Sequence, residues 1–296
     1  MSRGGMILSR LGLLPVRVLG RLPVRLARLL VRPLALPMRL AMKRRRKIAE
    51  RNLDLCFPAL SSRQRRRLLR AHFRHLSESL AEIAAAWCRP GRLDDRFGRV
   101  TGLEHLEAAR AGGQGVLLIT AHTTCLELGA RLFGERVAAS GIYRPLRNRV
   151  VDAFQNRGRA RYADAMIPRD NLRAMVRTLR QGKVLWYAPD QDFGPERSRF
   201  APFFGIQTAT AVGILELARL GRARVVPMYP IKDERSGAVT VIIDEAFEDF
   251  PGPDPEADLA RVNAFIERYV RQAPAQYWWL HRRFKTTPEG ERPRYG

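Results

Sequence analysis

Acidic residues are few in this chain, and almost absent from its beginning. Against 53 Lys and Arg there are 29 Asp and Glu, giving a formal net charge of +24 and a pI near 11.3. Within residues 1–50, Glu50 is the only acid among thirteen Lys and Arg, so half of the net charge lies there. Such a surface disfavours cationic partners and seeks phosphates, whether on nucleic acid, a membrane or a substrate. Cysteine is also scarce. Cys56, Cys88 and Cys125 form no C-x-x-C pair, and their odd number excludes a closed disulfide framework, which fits a reducing cytosol. No two histidines stand at i and i+4, which excludes zinc-protease chemistry, and no cofactor or metal is expected. No apolar run approaches the roughly 20 residues of a simple membrane span. No secretory signal, internal repeat or low-complexity segment beyond the basic beginning is visible.

What the beginning does contain is leucine interleaved with arginine. Arg17, Arg21, Arg25, Arg28 and Arg32 recur at intervals of four and three, which places them on one helical face and leaves Leu26, Leu29 and Leu30 for the other. Pro15, Pro23, Pro33 and Pro37 divide the segment, and Pro23 suits a helix start. Residues 6–42 therefore read as interfacial amphipathic helix lying on an anionic membrane. A nucleic-acid tail is the alternative, but such tails carry less leucine.

The clearest helix follows over residues 61–87. Ser61 with Gln64 forms a capping-box pattern, and Leu69, Phe73, Leu76, Leu80, Ile83 and Trp87 step by three and four as a packing stripe until Pro90-Gly91. From about residue 97 strands and helices alternate, predicting an α/β domain. Strands are expected near 115–120, 137–143, 164–168, 183–188, 223–229 and 238–244. Helices are expected over 103–111, 124–134, 149–162, 171–181, 208–220 and 256–272.

Within that alternation, Gly115-Val116-Leu117-Leu118-Ile119-Thr120-Ala121-His122 delivers a histidine from a strand, and Glu127 follows five positions later. Five residues apart on one helix would point about 140° away from each other. With His122 on the turn and Glu127 in the first helical turns, the carboxylate can hold one imidazole nitrogen and leave the other as a base. The plain alternative is a turn histidine beside an ordinary first-turn glutamate. Cys125, between them, offers a competing acyl-enzyme route but reads better as a small packing residue.

Further clusters lie at strand ends, where α/β folds place their sites. Tyr143-Arg144-Pro145, Arg157-Gly158-Arg159-Ala160-Arg161 and Met166-Ile167-Pro168-Arg169 are each ordinary surface sequences alone. If they converge, they suit a phosphorylated or phosphopantetheine-bearing substrate. Asp190, in Pro189-Asp190-Gln191-Asp192, could orient an arginine or a hydroxyl, or simply form a turn. Phe200-Ala201-Pro202-Phe203-Phe204-Gly205 reads as an aromatic loop, either a wall for an acyl chain or a core plug. His281, in the aromatic and cationic stretch 276–285, reads as a residue of a basic helix with no acidic partner.

Taken together these motifs resemble the late lipid A acyltransferases, the lauroyl and myristoyl transferase family of lipopolysaccharide biosynthesis. The resemblance runs from about Arg46 to Pro288 and includes Glu50-Arg51-Asn52-Leu53-Asp54-Leu55-Cys56-Phe57-Pro58 and His281-Arg282-Arg283-Phe284-Lys285-Thr286 with the clusters above. It implies an α/β fold with a mixed central sheet flanked by helices, like that of glycerolphosphate acyltransferases. A membrane-associating segment over 1–45 would precede an acyltransferase domain over 46–296, with a helical lead-in over 46–90 and the α/β core over about 97–290. It implies transfer of a fatty acyl chain from acyl carrier protein to a hydroxyl of a hydroxyacyl chain on an anionic, Kdo-bearing glycolipid, at the cytoplasmic face of the inner membrane. His122 and Glu127 would be the catalytic dyad, with Arg159, Arg169, Asp190, Tyr143 and Arg144 binding substrate and no nucleic acid involved. Another anionic glycolipid acceptor with acyl-CoA as donor is a second reading, and a non-enzymatic basic membrane or nucleic-acid binder a third.

Overall fold

The structure, a computed structural model, describes residues 12–295. Three short helices open it, α1 (Leu14–Arg21), α2 (Val24–Val31) and α3 (Ala35–Ala41), with Pro15 in the first turn of α1 and Pro23 capping α2. The expected amphipathic helix is thus broken at its prolines, and residues 6–11 of that expectation lie outside the described residues. None of the described helices is long and apolar enough to cross a membrane. Helix α4 (Lys43–Cys56) leads to the long α5 (Ser62–Cys88), whose start is the expected capping box: Ser61 accepts from the Gln64 amide, and Gln64 accepts from the Ser61 amide.

Helices α1, α2 and α3 all pack along α5. Gly20 makes this possible for α1, because a Cβ there would lie 2.2 Å from the Ala84 carbonyl oxygen. The arginine face is not uniformly outward. Arg28, 5% exposed, points into the protein and donates to Glu82 at 2.9 Å and to the Gly237 carbonyl at 2.7 Å, while Arg32 pairs with Glu78. Lys232 reaches the same two glutamates at 2.8 and 2.7 Å. With Arg28 and Arg32 paired to α5, the arm turns Leu14, Val18, Leu26, Leu29, Leu30, Leu34, Leu36 and Leu40 to the outside.

The rest of the chain is α/β. In chain order come β1 (Gly98–Thr101), α6 (Leu103–Arg110), β2 (Val116–Ile119), α7 (Leu126–Gly134), β3 (Ala139–Tyr143), α8 (Arg149–Arg159) and β4 (Ala165–Pro168). Then follow α9 (Leu172–Arg180), β5 (Val184–Tyr187), β6 (Ser198–Phe203), β7 (Ile206–Ala211), α10 (Gly213–Gly221), β8 (Arg224–Lys232), β9 (Val239–Ile243) and α11 (Pro255–Gln272). Seven strands form one mixed sheet in the order β1-β9-β8-β2-β5-β3-β4. All neighbours are parallel except β8 and β9, so β1 and β9 run opposite to the other five.

Strand β2 lies between β5 and β8, and all four of its residues are fully buried, which explains its unbroken apolar run. Separate apolar clusters cover the two faces, one joining α5, α9, α10 and α11 to the sheet and the other joining α6 and α7 to it.

Two segments depart from expectation. The aromatic stretch 200–205 is no loop, because Ser198–Phe203 and Ile206–Ala211 pair as an antiparallel hairpin, and the helix expected over 208–220 begins only at Gly213. Strand-forming Thr208 and Thr210 are buried on that hairpin rather than on a helix. The 276–285 stretch is a series of turns, not a basic helix.

Candidate active site

Because β2 sits in the middle of the sheet, its C-terminal end opens onto the crevice where α/β sheets hold ligands. The Thr120 amide continues the ladder to the Tyr187 carbonyl at 3.0 Å, and two residues later the chain leaves the sheet at His122. Asp190 arrives from the adjacent end of β5. Its carboxylate accepts twice from His122, from the backbone amide at 2.9 Å and at Nδ1 at 2.6 Å.

The C-terminal turns fix the other side of this corner. Trp278 donates to the His122 carbonyl at 3.0 Å and Thr124 to the Gln276 carbonyl at 2.8 Å, around a bridge between Thr123 and Tyr277. That bridge occupies 123 and 124, so α7 starts at Leu126, later than expected, and Glu127 faces away from the imidazole.

The expected hydrogen bond between His122 and Glu127 is therefore replaced by one to Asp190. Glu127 instead accepts from Trp87 Nε1 at 2.7 Å, from Tyr162 Oη at 3.0 Å and from the Arg159 guanidinium. Arg159 is committed to this pair. Gly158 sets its position, since a Cβ there would come within 2.5 Å of Trp87 Cβ and force α8 off α5.

Electrostatics assigns the protons. Burial favours a neutral Asp190, but the His122 imidazole and its two hydrogen bonds outweigh it and hold the carboxyl below its ordinary range. An ionised Asp190 can only accept, so Nδ1 of His122 carries the proton and Nε2 is left with its lone pair. Burial lowers the His122 pKa, yet the Asp190 charge and hydrogen bond overcome it, and the net direction is upward. Glu127 is likewise pushed up by burial and pulled down further by Arg159.

The Gln191 side-chain amide donates to the free Nε2 at 3.4 Å, marking where a hydroxyl would approach. Behind Asp190, Asp192 accepts from the amide and hydroxyl of Thr286, and the Asp192 amide donates to Nε2 of His281 at 3.0 Å. Burial holds His281 neutral, with its pKa lowered to about 4. Its partner is thus a backbone amide of the Asp190 loop.

A cavity of about 310 Å³ opens beside His122. One side is apolar, with Leu126, Ala130, Phe133, Ile142, Met166 and Trp186. The other holds the Glu127 and Arg159 pair with Tyr162. Tyr143 and Arg144 line it too, Tyr143 Oη accepting from Asn156 at 3.3 Å. Arg169 is exposed and not among the lining residues; its backbone amide extends the sheet to Tyr143. Thr120 also faces this cavity, and its buried hydroxyl has no hydrogen-bond partner among the described residues.

An oxyanion site in the turn after His122 is not available from three of its amides, since those of His122, Thr124 and Leu126 are all spent on protein acceptors. Cys125 is fully buried against the Pro230 carbonyl, and burial pushes its thiol up to about 11, which leaves little thiolate. No group of metal-ligating side chains occurs among the described residues.

Sequence reasoning did not find Trp87, Thr120, Tyr162 or Gln191. Trp87 was absorbed in the apolar stripe of α5, and only the approach of α5 to α8 shows its indole N–H pointing at Glu127.

A carboxylate-held histidine with a free Nε2 at the mouth of a largely apolar cavity defines an enzyme that can activate a hydroxyl beside an apolar chain. Residues 5–286 match the family model described as bacterial lipid A biosynthesis acyltransferase. The chain is 41% identical to the lipid A biosynthesis lauroyltransferase of Escherichia coli K12 over 86% of its length and 83% of that protein. It is 38% identical to the palmitoleoyltransferase of the same strain, over the same shares, and 32% identical to the myristoyltransferase, over 81% of this chain and 75% of that one. A glycerophosphate acyltransferase structure from Thermotoga maritima is similar at 15% identity and a TM-score of 0.40, covering 84% of this chain and 97% of that one, too distant a likeness to argue from. This chain belongs to the lipid A biosynthesis acyltransferase family, and it is an O-acyltransferase.

Proposed function

We propose that the chain moves a fatty acyl group from acyl carrier protein to the hydroxyl of a hydroxyacyl chain on an anionic, Kdo-bearing lipid A precursor, at the cytoplasmic face of the inner membrane. The observation that carries this reading is Asp190 on Nδ1 of His122, which leaves Nε2 as the base beside the cavity. Nε2 takes the proton of the acceptor hydroxyl as its oxygen attacks the thioester carbon. The carbon–sulfur bond then breaks, and the proton passes from the imidazolium to the leaving thiolate. Asp190 stabilises the imidazolium formed between these steps. No enzyme nucleophile is needed, because the substrate supplies the alcohol. The Thr120 hydroxyl is the group suited to donate to the carbonyl oxygen as charge develops.

Glu127 serves this site from its far wall. By holding Arg159, Trp87 and Tyr162 in one network it fixes the side of the cavity that faces α8, and it keeps the Arg159 charge compensated. The chain's residues 1–45 are the membrane-associating part, supported by the seven outward leucines and Val18 of the arm, and residues 46–296 the catalytic part. Tyr143 and Arg144 from the cavity wall, and Arg169 from the exposed end of β4, would meet the polar parts of the substrates as they enter.

Incubation with radiolabelled acyl carrier protein and the tetraacylated, Kdo-bearing precursor tests this. Label should move to the glycolipid with wild type and not with His122→Ala. Transfer from acyl-CoA alone, or to another glycolipid alone, would favour the second reading, and no transfer to any glycolipid would refute the proposal.

A further inference from the structure

Two arginines of the Arg157-to-Arg161 cluster take no part in the site above. Arg157 of α8 and Arg161, two residues past its end, are not among the residues lining the catalytic cavity and instead meet the N-terminal arm. With Arg17 and Arg21 of α1 they line a separate cavity of about 220 Å³, walled by Trp87, Cys88, Phe154 and Gly158. That is several times the roughly 30 Å³ share of a water molecule. A second opening of about 500 Å³ shares Arg17, Phe154 and Arg157 with it and adds Arg149 and Leu13, so the groove continues along the line between α1 and α8.

None of Arg17, Arg21, Arg157 or Arg161 forms an ion pair with a carboxylate among the described residues, and the first of them lies instead over the Phe154 ring at 5.6 Å. Arg28, Lys232, Arg131 and Arg159 each have a glutamate, whereas these four exposed arginines have none among the described residues. Four like charges brought to one cavity by two separate segments repel one another, which an anion reverses. Arginine with flanking aromatic walls is the lining that a phosphate carried by a lipid requires, the guanidinium groups meeting the oxygens bidentately and the rings meeting the apolar parts. The place agrees: α1 shows Leu14 and Val18 to the outside, so the groove opens beside the apolar face of the arm.

We propose that this groove is a binding site for the phosphate group of a lipid. It stands one side chain from the wall of the catalytic cavity. Trp87 forms its wall and donates through Nε1 to Glu127, and the Arg159 guanidinium sits 6.0 Å from the same ring. Resting on the glycolipid acceptor proposed above, the site would hold a headgroup phosphate on one side of Trp87 while an acyl chain of the same molecule reaches His122 on the other. A phosphate of the surrounding bilayer lipid would use the same chemistry.

Cys88 provides a readout that does not depend on turnover. It lines the groove, whereas Cys56 and Cys125 are buried and serve as internal controls. Burial raises its pKa, and Arg161, Arg17 and Arg21 oppose that rise, as expected of cations gathered around one point. In neutral detergent, the rate of maleimide alkylation at Cys88 in the full chain is measured by mass spectrometry with four additions: the glycolipid precursor, the same glycolipid after phosphatase treatment, phosphatidylglycerol and phosphatidylcholine.

The phosphorylated glycolipid should slow alkylation about tenfold and its phosphatase-treated form should not. Protection by the glycolipid but not by phosphatidylglycerol assigns the site to the acceptor, and equal protection by phosphatidylglycerol assigns it to bilayer lipid. Arg157→Gln with Arg161→Gln should abolish protection, and the corresponding pair of lysine substitutions should restore part of it. The acceptor arm also predicts a raised KM for glycolipid in the glutamine pair with little change in kcat.

Protection by the phosphatase-treated glycolipid equal to that by the phosphorylated form overturns the proposal. So does protection that survives the glutamine pair, or no protection by any phosphate-bearing lipid. Failure of acyl transfer with protection intact would count against the proposed reaction and leave this site standing.

Discussion

Replacing Asp190 by Asn tests whether the carboxylate that holds His122 is the one from the end of β5. The substitution keeps size and shape but gives Nδ1 a neutral partner able to present either an oxygen or an NH2 group. If the NH2 group faces Nδ1, the imidazole is driven into the wrong tautomer with its proton on Nε2, where the base should be. Loss of the orienting carboxylate in histidine-based hydrolases costs about 10⁴ in kcat, or about 5 kcal/mol of transition-state stabilisation at 1.36 kcal/mol per decade. A fall of roughly 10³ to 10⁴ is expected here, with KM nearly unchanged.

The pH profile separates this from general damage. In wild type the imidazole pKa is raised above its ordinary 6.5, because the Asp190 charge and hydrogen bond outweigh burial. The acid limb of kcat/KM should therefore lie above pH 6.5. In Asp190→Asn only burial remains, so the limb of the residual activity should move to lower pH.

Glu127→Gln supplies the contrast. It leaves the His122 and Asp190 pair intact but removes the counter-charge of Arg159, and one carbonyl must replace a carboxylate that accepts from three side chains. Breaking a largely buried ion pair in this way costs about 3 kcal/mol. Lowered stability in urea is expected, with residual activity titrating as wild type does. Both profiles are measured with acyl carrier protein as donor, alongside urea unfolding. If Asp190→Asn kept its acid limb and lost less than tenfold in kcat, while Glu127→Gln abolished turnover at full stability, the assignment of the two carboxylates would have to be exchanged.

Three further outcomes are expected. Cys125→Ala should retain most of the wild-type rate, since its thiol is buried with a pKa near 11; loss equal to that of His122→Ala would revive an acyl-enzyme route. Leu29→Gln with Leu30→Gln should weaken sedimentation with anionic vesicles while leaving the unfolding midpoint in place, because both side chains face outward; unchanged vesicle binding would remove the arm from the membrane contact. His72 and His75 are held neutral by burial, with pKa values of about 4, below the 6.5 of an unfolded chain. Their contribution to stability is complete above about pH 6.5 and is lost as pH falls toward 4, roughly 2 kcal/mol each by pH 5. Urea unfolding at pH 7.5 and pH 5 measures this, and a stability that does not change between them would contradict it.

Much of the architecture was legible because it rests on local pattern. The buried run Val116–Ile119, the capping box at Ser61 and the proline-bounded helices of the arm each carry their signal within a few residues. The hairpin of 198–211 was hidden because Thr208 and Thr210 lie beside the apolar run of α10 and blend into a helical period. In the site, Tyr143, Arg144 and Arg159 lie on or next to strand or helix ends, and His122 and Asp190 each lie three residues past a strand end, places that the alternation of elements exposes. Their pairing was not legible. Spacing favoured Glu127 for His122, and that inference failed because the Thr123 bridge to Tyr277, more than 150 residues away in the chain, delays α7 and rotates Glu127 toward α8. Arg169 lies outside the cavity lining for a different reason. It follows the end of β4, the outermost strand, and is exposed there, whereas Met166 of the same strand lines the cavity.

The long helix α5 explains why the arm and the site belong to one working unit. At its middle, Glu78 and Glu82 take Arg32 and Arg28 from the arm and Lys232 from β8, so three segments share two carboxylates in the interior. Desolvation raises the pKa of Glu78, but Lys232 and Arg32 bring it down to about 2, so it remains charged under any physiological condition. At the end of the helix, Trp87 holds Glu127. One unbroken 27-residue helix thus fixes the distance between the outward leucines of α2 and the wall of the catalytic cavity. On the proposed membrane contact of the arm, the position of the reacting centre relative to a lipid surface is set by packing rather than by a linker. Buried ion pairs suit that purpose better than apolar contacts of equal strength, because a shift of α2 by one turn would strand Arg28 without a partner, at a cost of several kcal/mol.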